Sequence, residues 1–386
     1  MHLADPSGPS RTLAPVLRSL ANGDGNVVAA VPGPGRLAGE LRGVARVVVT
    51  GHAPVTIPRR PGDAWSLATR LRHDVRQFRA LLRRERPDLA IVATTTLPAL
   101  ILAARLERVP TIVYATELYR QGSRGDVLRA AAGRAMMRVN ARLASVTVAS
   151  SRTVARTIAM PRRTIVAYPS IDPALAEGDA DAFRRRHGLP ADGPCLATLG
   201  NIARGRGQDV AIRALADLRR DHPGAYLVIA GEPHPRPRDR GFAVELRELA
   251  ERLGVGGAVH FCGFERTGDV LAACEVLLNP ARFGETFGRV AMEALLAGRP
   301  VVSSRVGAVA EVLEDGRHAL LVPPDRPGSL ADAVRRLLAD PALAARLVTQ
   351  GAAHVRATFT AERQLAGFDA AIDSALHTAR GNGRRR

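Results

Sequence analysis

The sequence contains no lysine, so all 55 of its lysine-plus-arginine cations are arginine. Together with heavy use of alanine, this points to a drift in nucleotide composition rather than to selection for one function. Aromatic residues make up only 4% of the chain, which leaves few side chains for stacking nucleic-acid bases. No apolar run approaches the roughly 18 residues of a membrane span, and the first residues lack a signal-peptide pattern. These absences predict a globular protein and argue against a membrane-spanning one.

Cysteine is also scarce. Cys195, Cys262 and Cys274 do not have the spacing of a metal site, and the histidines do not cluster. Thiols without a disulfide framework are typical of a reducing compartment. We therefore expect a cytoplasmic protein with buried thiols and with no metal ion or other cofactor.

The length and the charge distribution divide the chain into two parts. At 386 residues it exceeds the usual limit for one hydrophobic core, about 250–300 residues, so two domains are expected. Residues 1–175 hold 26 arginines against 11 acidic residues, whereas residues 176–386 hold 29 against 26. The positive surplus therefore lies almost wholly in the first half. Such a surface attracts anionic lipid, a phosphorylated acceptor or nucleic acid.

Strand-like and helical patterns alternate along both halves. Alternation of this kind predicts an α/β fold with doubly wound parallel sheets, in which ligands sit at the carboxyl ends of the strands. The predicted strands of the first half are 27–31, 44–50, 89–93, 111–115 and 145–149, and its predicted helices include 64–86, 99–107 and 126–143.

Two predicted strands of the first half end in polar residues. Thr94, Thr95 and Thr96 follow one strand, and Thr116 and Glu117 follow the next. Glu117 is therefore a candidate catalytic residue that reaches toward a bound sugar or acceptor. The alternative is a solvated glutamate that caps the next segment.

The predicted helix 64–86 is basic and amphipathic. Its apolar side carries Leu67, Leu71, Val75, Phe78 and Leu82, while its remaining surface carries Arg70, Arg72, Arg76, Arg79, Arg83 and Arg84. A helix of this type can lie on an anionic membrane, which would place the protein peripherally at the inner face of the cell membrane. The alternative is an ordinary surface helix with a solvated basic face.

The most informative stretch is 279–300, which reads NPARFGETFGRVAMEALLAGRP. A glycine-containing loop gives way to a helical pattern, with the helix expected to begin near Phe287. The first amides of a helix attract anions, so 286–288 is a natural seat for phosphate. Glu285 precedes this seat, and Glu293 lies roughly 8–9 Å further along the helix at about 1.5 Å per residue. Two carboxylates on either side of an anion seat suit a nucleotide sugar; the alternative is an amphipathic helix with two solvent-facing glutamates.

The segment GETFGRVAMEALLAGRPVV resembles the E-x7-E motif of the retaining glycosyltransferases of family four, which have the GT-B fold. The resemblance implies two Rossmann-like, doubly wound domains facing a central cleft. It implies that Glu285 meets the hydroxyls of the donor sugar and that Glu293 binds the ribose. The amides of Thr286, Phe287 and Gly288 would hold the diphosphate.

The same resemblance extends to the loop GNIARGRGQ at 200–208. In the family this loop carries an arginine and a lysine on the donor phosphates. Arg206 matches the lysine, and a guanidinium holds phosphate in a bidentate way. Asn201 departs from the arginine, and Arg204 is a candidate to replace it from the other side of the loop. Gly200, Asn201 and Arg204 are therefore donor-binding candidates, whereas Arg206 is a catalytic one; a solvated arginine-glycine loop is the alternative.

Two further positions follow from the resemblance. The backbone around Gly263 and Phe264 would read the nucleotide base. A glycine-containing cleft loop near the start would include Ser7 and Gly8, after a strand reduced to residues 2–4 and before a helix at 11–21. Such a short first strand indicates that the chain begins downstream of the true start or has an unusually short strand.

The resemblance implies an acceptor-side domain at 1–173 and a linker at 174–192. The nucleotide-sugar-binding domain would cover 193–357. A last helix at 358–380 would cross back to the first domain, and a basic tail at 381–386 would be disordered.

The expected activity is transfer of a hexose from a nucleotide-diphosphate sugar to a saccharide or lipid-linked acceptor. The expected setting is the synthesis of cell-envelope polysaccharide or glycolipid. Three other readings remain. A nucleic-acid-binding protein is suggested by the charge but lacks a recognition motif, so no nucleic-acid partner is expected. A nicotinamide-dependent enzyme lacks the G-x-G-x-x-G pattern after the first strand. A catalytically impaired GT-B protein that only binds a partner would explain Asn201.

Overall fold

The computed structural model describes residues 8–23, 25–55, 61–118, 127–233 and 237–383. The chain forms two compact units, one of Met1–Ser170 with Ala361–Arg386 and the other of Ile171–Thr360. Ser7 and the strand predicted at 2–4 lie outside the described residues. Among those that are described, no helix is both long enough and apolar enough to span a membrane.

The first unit is built from short parallel strands with helices between them. Two of its strands pair with each other, and the other four form a second sheet in the order β3-β4-β5-β6. Its strands are β1 (Val28–Val31), β2 (Arg46–Val49), β3 (Ala90–Val92), β4 (Thr111–Ala115), β5 (Val146–Ala149) and β6 (Thr164–Val166). Its first helices are α1 (Gly8–Asn22), α2 (Arg36–Leu41), α3 (Pro61–Glu85), α4 (Pro98–Leu106), α5 (Val127–Leu143) and α6 (Arg152–Ile158).

Helix α1 begins earlier than the sequence pattern indicated. Gly8 was expected in a loop before a helix at 11–21, but it is the first residue of α1. Pro9 explains the difference, because proline is favoured in the first turn, where its missing N–H has no helical partner to lose. The loop prediction is therefore wrong for Gly8.

The second unit alternates strands and helices throughout. Its strands are β7 (Cys195–Leu199), β8 (Tyr226–Ala230), β9 (Val259–Gly263), β10 (Val276–Asn279), β11 (Val301–Ser304) and β12 (Leu320–Val322). The remaining helices of the chain are α7 (Ala180–His187), α8 (Gln208–Leu218), α9 (Pro237–Arg252), α10 (Thr267–Ala273), α11 (Arg289–Leu296), α12 (Val309–Val312), α13 (Pro327–Ala339), α14 (Pro341–Thr358) and α15 (Ala361–Gly383).

The six strands of the second unit form one parallel sheet in the order β12-β11-β10-β7-β8-β9. From β7 the chain proceeds to β8 and β9 on one side and then crosses to β10, β11 and β12 on the other. The strand order therefore reverses between β7 and β10. In open parallel sheets, the crevice at the carboxyl ends of such a pair is where ligands bind.

The segment 174–192 belongs to the second unit and is not a free linker. Asp179 caps α7 by accepting a 2.9 Å hydrogen bond from the Ala182 amide. Phe183 is fully buried, and Arg184 donates to the Ala273 carbonyl oxygen at 3.0 Å. Packing and hydrogen bonds therefore fix α7 on the body of the second unit.

The last helix, α15, is part of the first unit's core. Phe368, Ala371 and Ala375 pack in one buried cluster with residues of α1, β4 and β5. Buried Gln364 accepts hydrogen bonds from the Ser170 amide and hydroxyl, and it donates to the Thr12 carbonyl oxygen at 2.7 Å. The helix continues to Gly383, so the prediction of a disordered tail is wrong for 381–383, while 384–386 lie outside the described residues.

Candidate functional site

Two loops approach each other at the point where the order of the second sheet reverses. One follows β7 and includes Arg206; the other follows β10 and includes Glu285. Gly207, with a φ of 73°, lies so close to the second loop that a Cβ there would be 2.0 Å from the Pro280 carbonyl oxygen. Only glycine combines this backbone conformation with this approach.

Glu285 joins the two loops through its side chain. Its Oε2 accepts a hydrogen bond from Arg206 Nη1 at 2.8 Å, and its Oε1 accepts one from the Gly288 amide at 3.0 Å. Its own carbonyl oxygen accepts from the Ala308 amide at 2.9 Å. The glutamate side chain is buried, whereas the Arg206 side chain is 47% exposed. The exposed Arg206 guanidinium can therefore contact a ligand that enters from solvent, while the buried Glu285 carboxylate holds the guanidinium in place.

Helix α11 begins at Arg289, two residues later than the pattern indicated. Gly288 precedes it with a φ of 90°, a left-handed conformation that does not continue a right-handed helix. The resemblance implied that the Gly288 amide holds the diphosphate. In the structure this amide instead donates to the carboxylate of Glu285. Thr286 is partly exposed, whereas Phe287 is buried and packs edge-on against Phe359, with ring centroids 5.0 Å apart.

Glu293 lies in the middle of α11 and is only 4% exposed. Arg289, one turn earlier, donates to its Oε1 at 3.2 Å. Neither glutamate of the E-x7-E pattern is therefore solvent-facing. The reading of this segment as an ordinary surface helix is wrong.

Three glycines lie at the ends of neighbouring strands β7, β8 and β9. Gly200, Gly231 and Gly263 all have positive φ, and the Gly231 amide donates to the Gly263 carbonyl oxygen at 2.6 Å. A Cβ on Gly231 would lie 2.1 Å from the Gly200 carbonyl oxygen. This edge therefore presents backbone rather than side chains, and Phe264 beside it is 54% exposed.

Arg204 and Asn201 lie on the loop after β7 and make contacts within the second unit. Arg204 Nη2 bonds both carboxylate oxygens of Glu245 at 2.5 Å, and its guanidinium lies 4.8 Å from the centroid of the Phe242 ring. The hypothesis that it reaches around the loop in place of Asn201 is therefore not supported by its contacts. Asn201 is exposed, and its backbone oxygen accepts a 3.1 Å hydrogen bond from Gln208.

In the first unit, the two polar strand ends meet because β3 and β4 are neighbours in the sheet. Glu117 accepts hydrogen bonds from the Thr94 hydroxyl, from the Thr95 hydroxyl at 2.8 Å and from the Thr95 and Thr116 amides at 3.3 and 3.2 Å. Burial raises the pKa of Glu117, and these hydrogen bonds oppose the shift. The glutamate is held by the preceding strand end, so the alternative of a solvated cap is wrong.

Sequence reasoning missed Arg282, three residues before Glu285. Its guanidinium bonds both carboxylate oxygens of Asp209, at 2.7 and 2.5 Å, and also bonds Asp325 and the Arg204 carbonyl oxygen. These partners are distant in the sequence, so no local pattern identifies them. The one local signal of its role was the presence of an arginine three residues before the first glutamate of the E-x7-E segment.

No group of three or more His, Cys, Asp or Glu side chains with metal-binding geometry occurs within the described part of the chain. In the described residues, the groups near the reversal of strand order are guanidinium groups, carboxylates and backbone amides.

Residues 179–354 match the model of the family "Glycosyl transferases group 1". A D-inositol 3-phosphate glycosyltransferase of Acidothermus cellulolyticus is 38% identical over 205 residues, which cover 51% of this chain and 45% of that protein. The alpha-D-kanosaminyltransferase of Streptomyces kanamyceticus is 33% identical over 210 residues, or 54% of this chain and 53% of that protein. The match thus spans about half the length of these curated relatives.

Similarity of structure extends over almost the whole chain. Anabaena HepE in complex with UDP and glucose superposes with a TM-score of 0.79 at 20% identity, covering 97% of this chain and 98% of HepE. Sucrose-phosphate synthase of Thermosynechococcus elongatus gives a TM-score of 0.68 at 22% identity, covering 89% of this chain and 84% of that one. These likenesses confirm the fold predicted from the sequence. The chain therefore has the GT-B fold, and its residues 179–354 are similar to the group 1 glycosyltransferase family.

Proposed function

We propose that this protein is a retaining glycosyltransferase of family four that transfers a hexose from a nucleotide-diphosphate sugar to an acceptor. The second unit binds the donor, and the basic first unit binds the acceptor. The names of the relatives and of the HepE complexes, which contain UDP, UDP with glucose or UDP-glucose, support this class of reaction. UDP-glucose is accordingly the first donor to test.

The observation that carries the proposal is the pair of bonds made by Glu285. One carboxylate contacts both the Arg206 guanidinium and the amide of Gly288, the residue directly before α11, and it does so at the reversal of strand order. A diphosphate placed against Arg206 and the amide end of α11 would lie directly beside this carboxylate. Glu285 is then available to the hydroxyls of the attached sugar.

Departure of the nucleoside diphosphate develops negative charge on its terminal phosphate. A half-exposed guanidinium and the N-terminal amides of a helix stabilise such charge without rearrangement. We propose that these groups, rather than a bound metal ion, serve the leaving group. Retention follows when the acceptor attacks the same face of the sugar and the departing phosphate accepts its proton.

The other donor contacts follow from the position of each residue. Buried Glu293, oriented by Arg289, is proposed to accept the ribose hydroxyls. The backbone edge formed by Gly200, Gly231 and Gly263 is proposed to bind the nucleoside. Because glycine has no side chain, a flat base can approach the backbone closely there. Glu117 is proposed to act on the acceptor side of the reaction.

Thermal-shift titration with UDP, GDP, ADP and dTDP, followed by the sugar conjugates of the best ligand, tests the donor site. Selective stabilisation by one diphosphate, together with hydrolysis or transfer of its sugar, is the expected result. Parallel titrations with and without Mg²⁺ test the role given to Arg206. Binding without turnover toward any acceptor would instead favour a GT-B protein that only binds a partner, as the exposed Asn201 suggests. No binding to any of the four would overturn the proposal.

We further propose that the acceptor lies at an anionic membrane, as expected for glycolipid or envelope-polysaccharide synthesis. Helix α3 carries exposed Arg70, Arg72 and Arg76 along its length, and Trp65 near its N-terminal end is 74% exposed. Further along the helix, Arg79 and Arg83 pair with Glu107 and contribute less free positive charge. An exposed tryptophan near exposed arginines suits the interface between lipid headgroups and acyl chains.

Trp65 is the only tryptophan of the chain, so its fluorescence reports on α3 alone. Vesicles of phosphatidylcholine with phosphatidylglycerol should shift its emission to the blue, whereas pure phosphatidylcholine should not. Changing Arg70, Arg72 and Arg76 to Gln should abolish the shift, while the matched change of Arg219, Arg252 and Arg317 in the second unit should preserve it. Equal loss in both triple variants would mean that net charge, not this helix, attracts the membrane. In the transfer assay, D-inositol 3-phosphate serves as the soluble alternative acceptor.

A further inference from the structure

We propose that Arg282 is a positioning residue that holds the Arg206 loop in register with Glu285. The inference rests on the proposed function, because it explains how the diphosphate-binding groups keep their mutual distance. Arg282 itself lies in the loop after β10, whereas its main partner Asp209 lies in the first turn of α8, directly after the Arg206 loop.

The side chain of Arg282 makes contacts on three segments. Nη1 and Nη2 bond the two oxygens of Asp209 at 2.7 and 2.5 Å, and Nη1 also donates to the Arg204 carbonyl oxygen at 3.0 Å. Nε donates to Asp325 at 3.0 Å. Asp325 follows β12 and has a φ of 59°, a conformation that is uncommon outside glycine. One guanidinium therefore ties together the chain after β7, β10 and β12.

The backbone of Arg282 strengthens the same connection. Its amide donates to the Gly205 carbonyl oxygen at 3.0 Å, so main chain and side chain both bind the Arg206 loop. Gly205 and Arg204, the two acceptors on that loop, are the residues immediately before Arg206. Any movement of Arg206 away from Glu285 by shifting its loop must therefore break contacts to Arg282.

The planar shape of arginine is required for this arrangement. All three guanidinium nitrogens are used, and they point in different directions. Nη1 and Nη2 bond Asp209, Nη1 also bonds Arg204, and Nε bonds Asp325. A lysine ammonium is a point charge that cannot reproduce such a fork. The acidic partners raise the pKa of Arg282 above its ordinary value, so the cation is held over the whole working pH range.

Arg335 provides a matched control in the same unit. Its side chain is 26% exposed against 23% for Arg282, and it likewise bonds several carboxylates and a backbone oxygen, on Asp217, Asp221 and Asp332. These contacts join α13 to α8 and include no residue of the two candidate-site loops. Arg335→Gln should therefore cost stability without moving Arg206.

The experiment compares Arg282→Lys, Arg282→Gln and Arg335→Gln with the unmodified protein. Hydrogen exchange of peptides covering 200–208 and 280–288 measures the order of the two loops directly. Calorimetric affinity for UDP and for uridine, or for the diphosphate and nucleoside that the thermal-shift panel selects, measures the consequence. All measurements are made well below the unfolding temperature of the least stable variant.

Both Arg282 variants should exchange faster in the two loops and should lose about 10- to 100-fold in diphosphate affinity and turnover, in line with the effect of roughly 1 Å misplacements. Nucleoside affinity should change less than threefold, because the glycine edge is not held by Arg282. Arg335→Gln should leave exchange in both loops and the diphosphate affinity unchanged. Asp209→Asn combined with Arg282→Gln should lose little more than either single change, since the two residues act through one contact.

Unchanged exchange in the two loops of the Arg282 variants would overturn the inference. So would equal loss of diphosphate and nucleoside affinity, or the same loss in Arg335→Gln. If the unmodified protein binds no nucleoside diphosphate but Arg282→Gln still loosens both loops, the proposed function fails while the positioning role stands.

Discussion

The two units each present a glutamate just after a parallel strand, and the two glutamates have opposite surroundings. Glu117, after β4, is bonded by hydroxyl and amide groups of Thr94, Thr95 and Thr116, all of which are neutral. Glu285, after β10, is bonded by the Arg206 cation and by the amide at the start of a helix.

This difference separates two kinds of chemistry. A carboxyl that is partly withdrawn from solvent among neutral partners has a raised pKa, as Glu117 does. A carboxylate that shares its site with a guanidinium and a helix terminus belongs to an anion-binding surface. We expect stabilisation of the leaving group in the second unit and contact with the acceptor in the first.

Arg206→Gln should break the comparison most strongly, because it leaves Glu285 with neutral partners only. Loss of the cation that faces the leaving diphosphate should lower turnover by about 100- to 1000-fold. Diphosphate affinity should fall far more than nucleoside affinity, as measured by calorimetry. Equal losses for the two ligands would show that Arg206 does not contact phosphate.

Glu285→Gln tests the other half of that ion pair. The Gln side-chain oxygen can still accept from the Gly288 amide, so the loop should keep its shape while the charge is lost. We expect turnover to fall by about 10- to 100-fold, the loss of a hydrogen bond to a charged group. Affinity for the free diphosphate should stay within a few-fold; a parallel fall in both quantities would remove Glu285 from the sugar-binding role.

Glu293→Ala should separate the ribose contact from the sugar contact. Donor and free nucleoside diphosphate should weaken together by about 1.5–3 kcal/mol, because both contain the same ribose. Glu293→Gln, which preserves more of the volume and can still bond Arg289, serves as the control for packing. Unchanged nucleotide affinity in the alanine variant would rule out the ribose role.

Glu117→Gln should have the smallest effect on turnover and a distinctive effect on stability. The folded-state pKa of Glu117 is raised, so ionised Glu117 costs stability above that pKa, and the cost disappears as the pH falls toward the unfolded value. Relative to the glutamine variant, the unmodified protein should therefore gain stability as the pH falls through the raised folded-state pKa. Unfolding in urea over a series of pH values measures this difference, and a constant difference would mean that Glu117 does not titrate over that series.

Local sequence pattern was sufficient for much of the fold. The predicted strand at 111–115 has the observed bounds, because it is a short run of apolar and β-favouring residues bounded by breakers. The E-x7-E spacing also located the loop and helix that carry Glu285 and Glu293.

Other features depend on contacts that no local pattern contains. Helix α14 was not predicted because its buried side includes Gly351 and Ala352, which give a weak apolar signal. The Arg282 contacts join residues 43 and 73 positions apart. The start of α11 was misplaced because Gly288 adopts a left-handed conformation to let its amide reach Glu285.

The place of α15 in the first unit has a consequence for the synthesis of the protein. Residues 171–360 form the whole second unit and are synthesised before α15. At about 5–20 residues per second, the first 170 residues wait roughly 10–40 s for the helix that supplies Phe368, Ala371 and Ala375 to their core. The second unit can fold during that interval, so the part of the chain made first is the last to be completed.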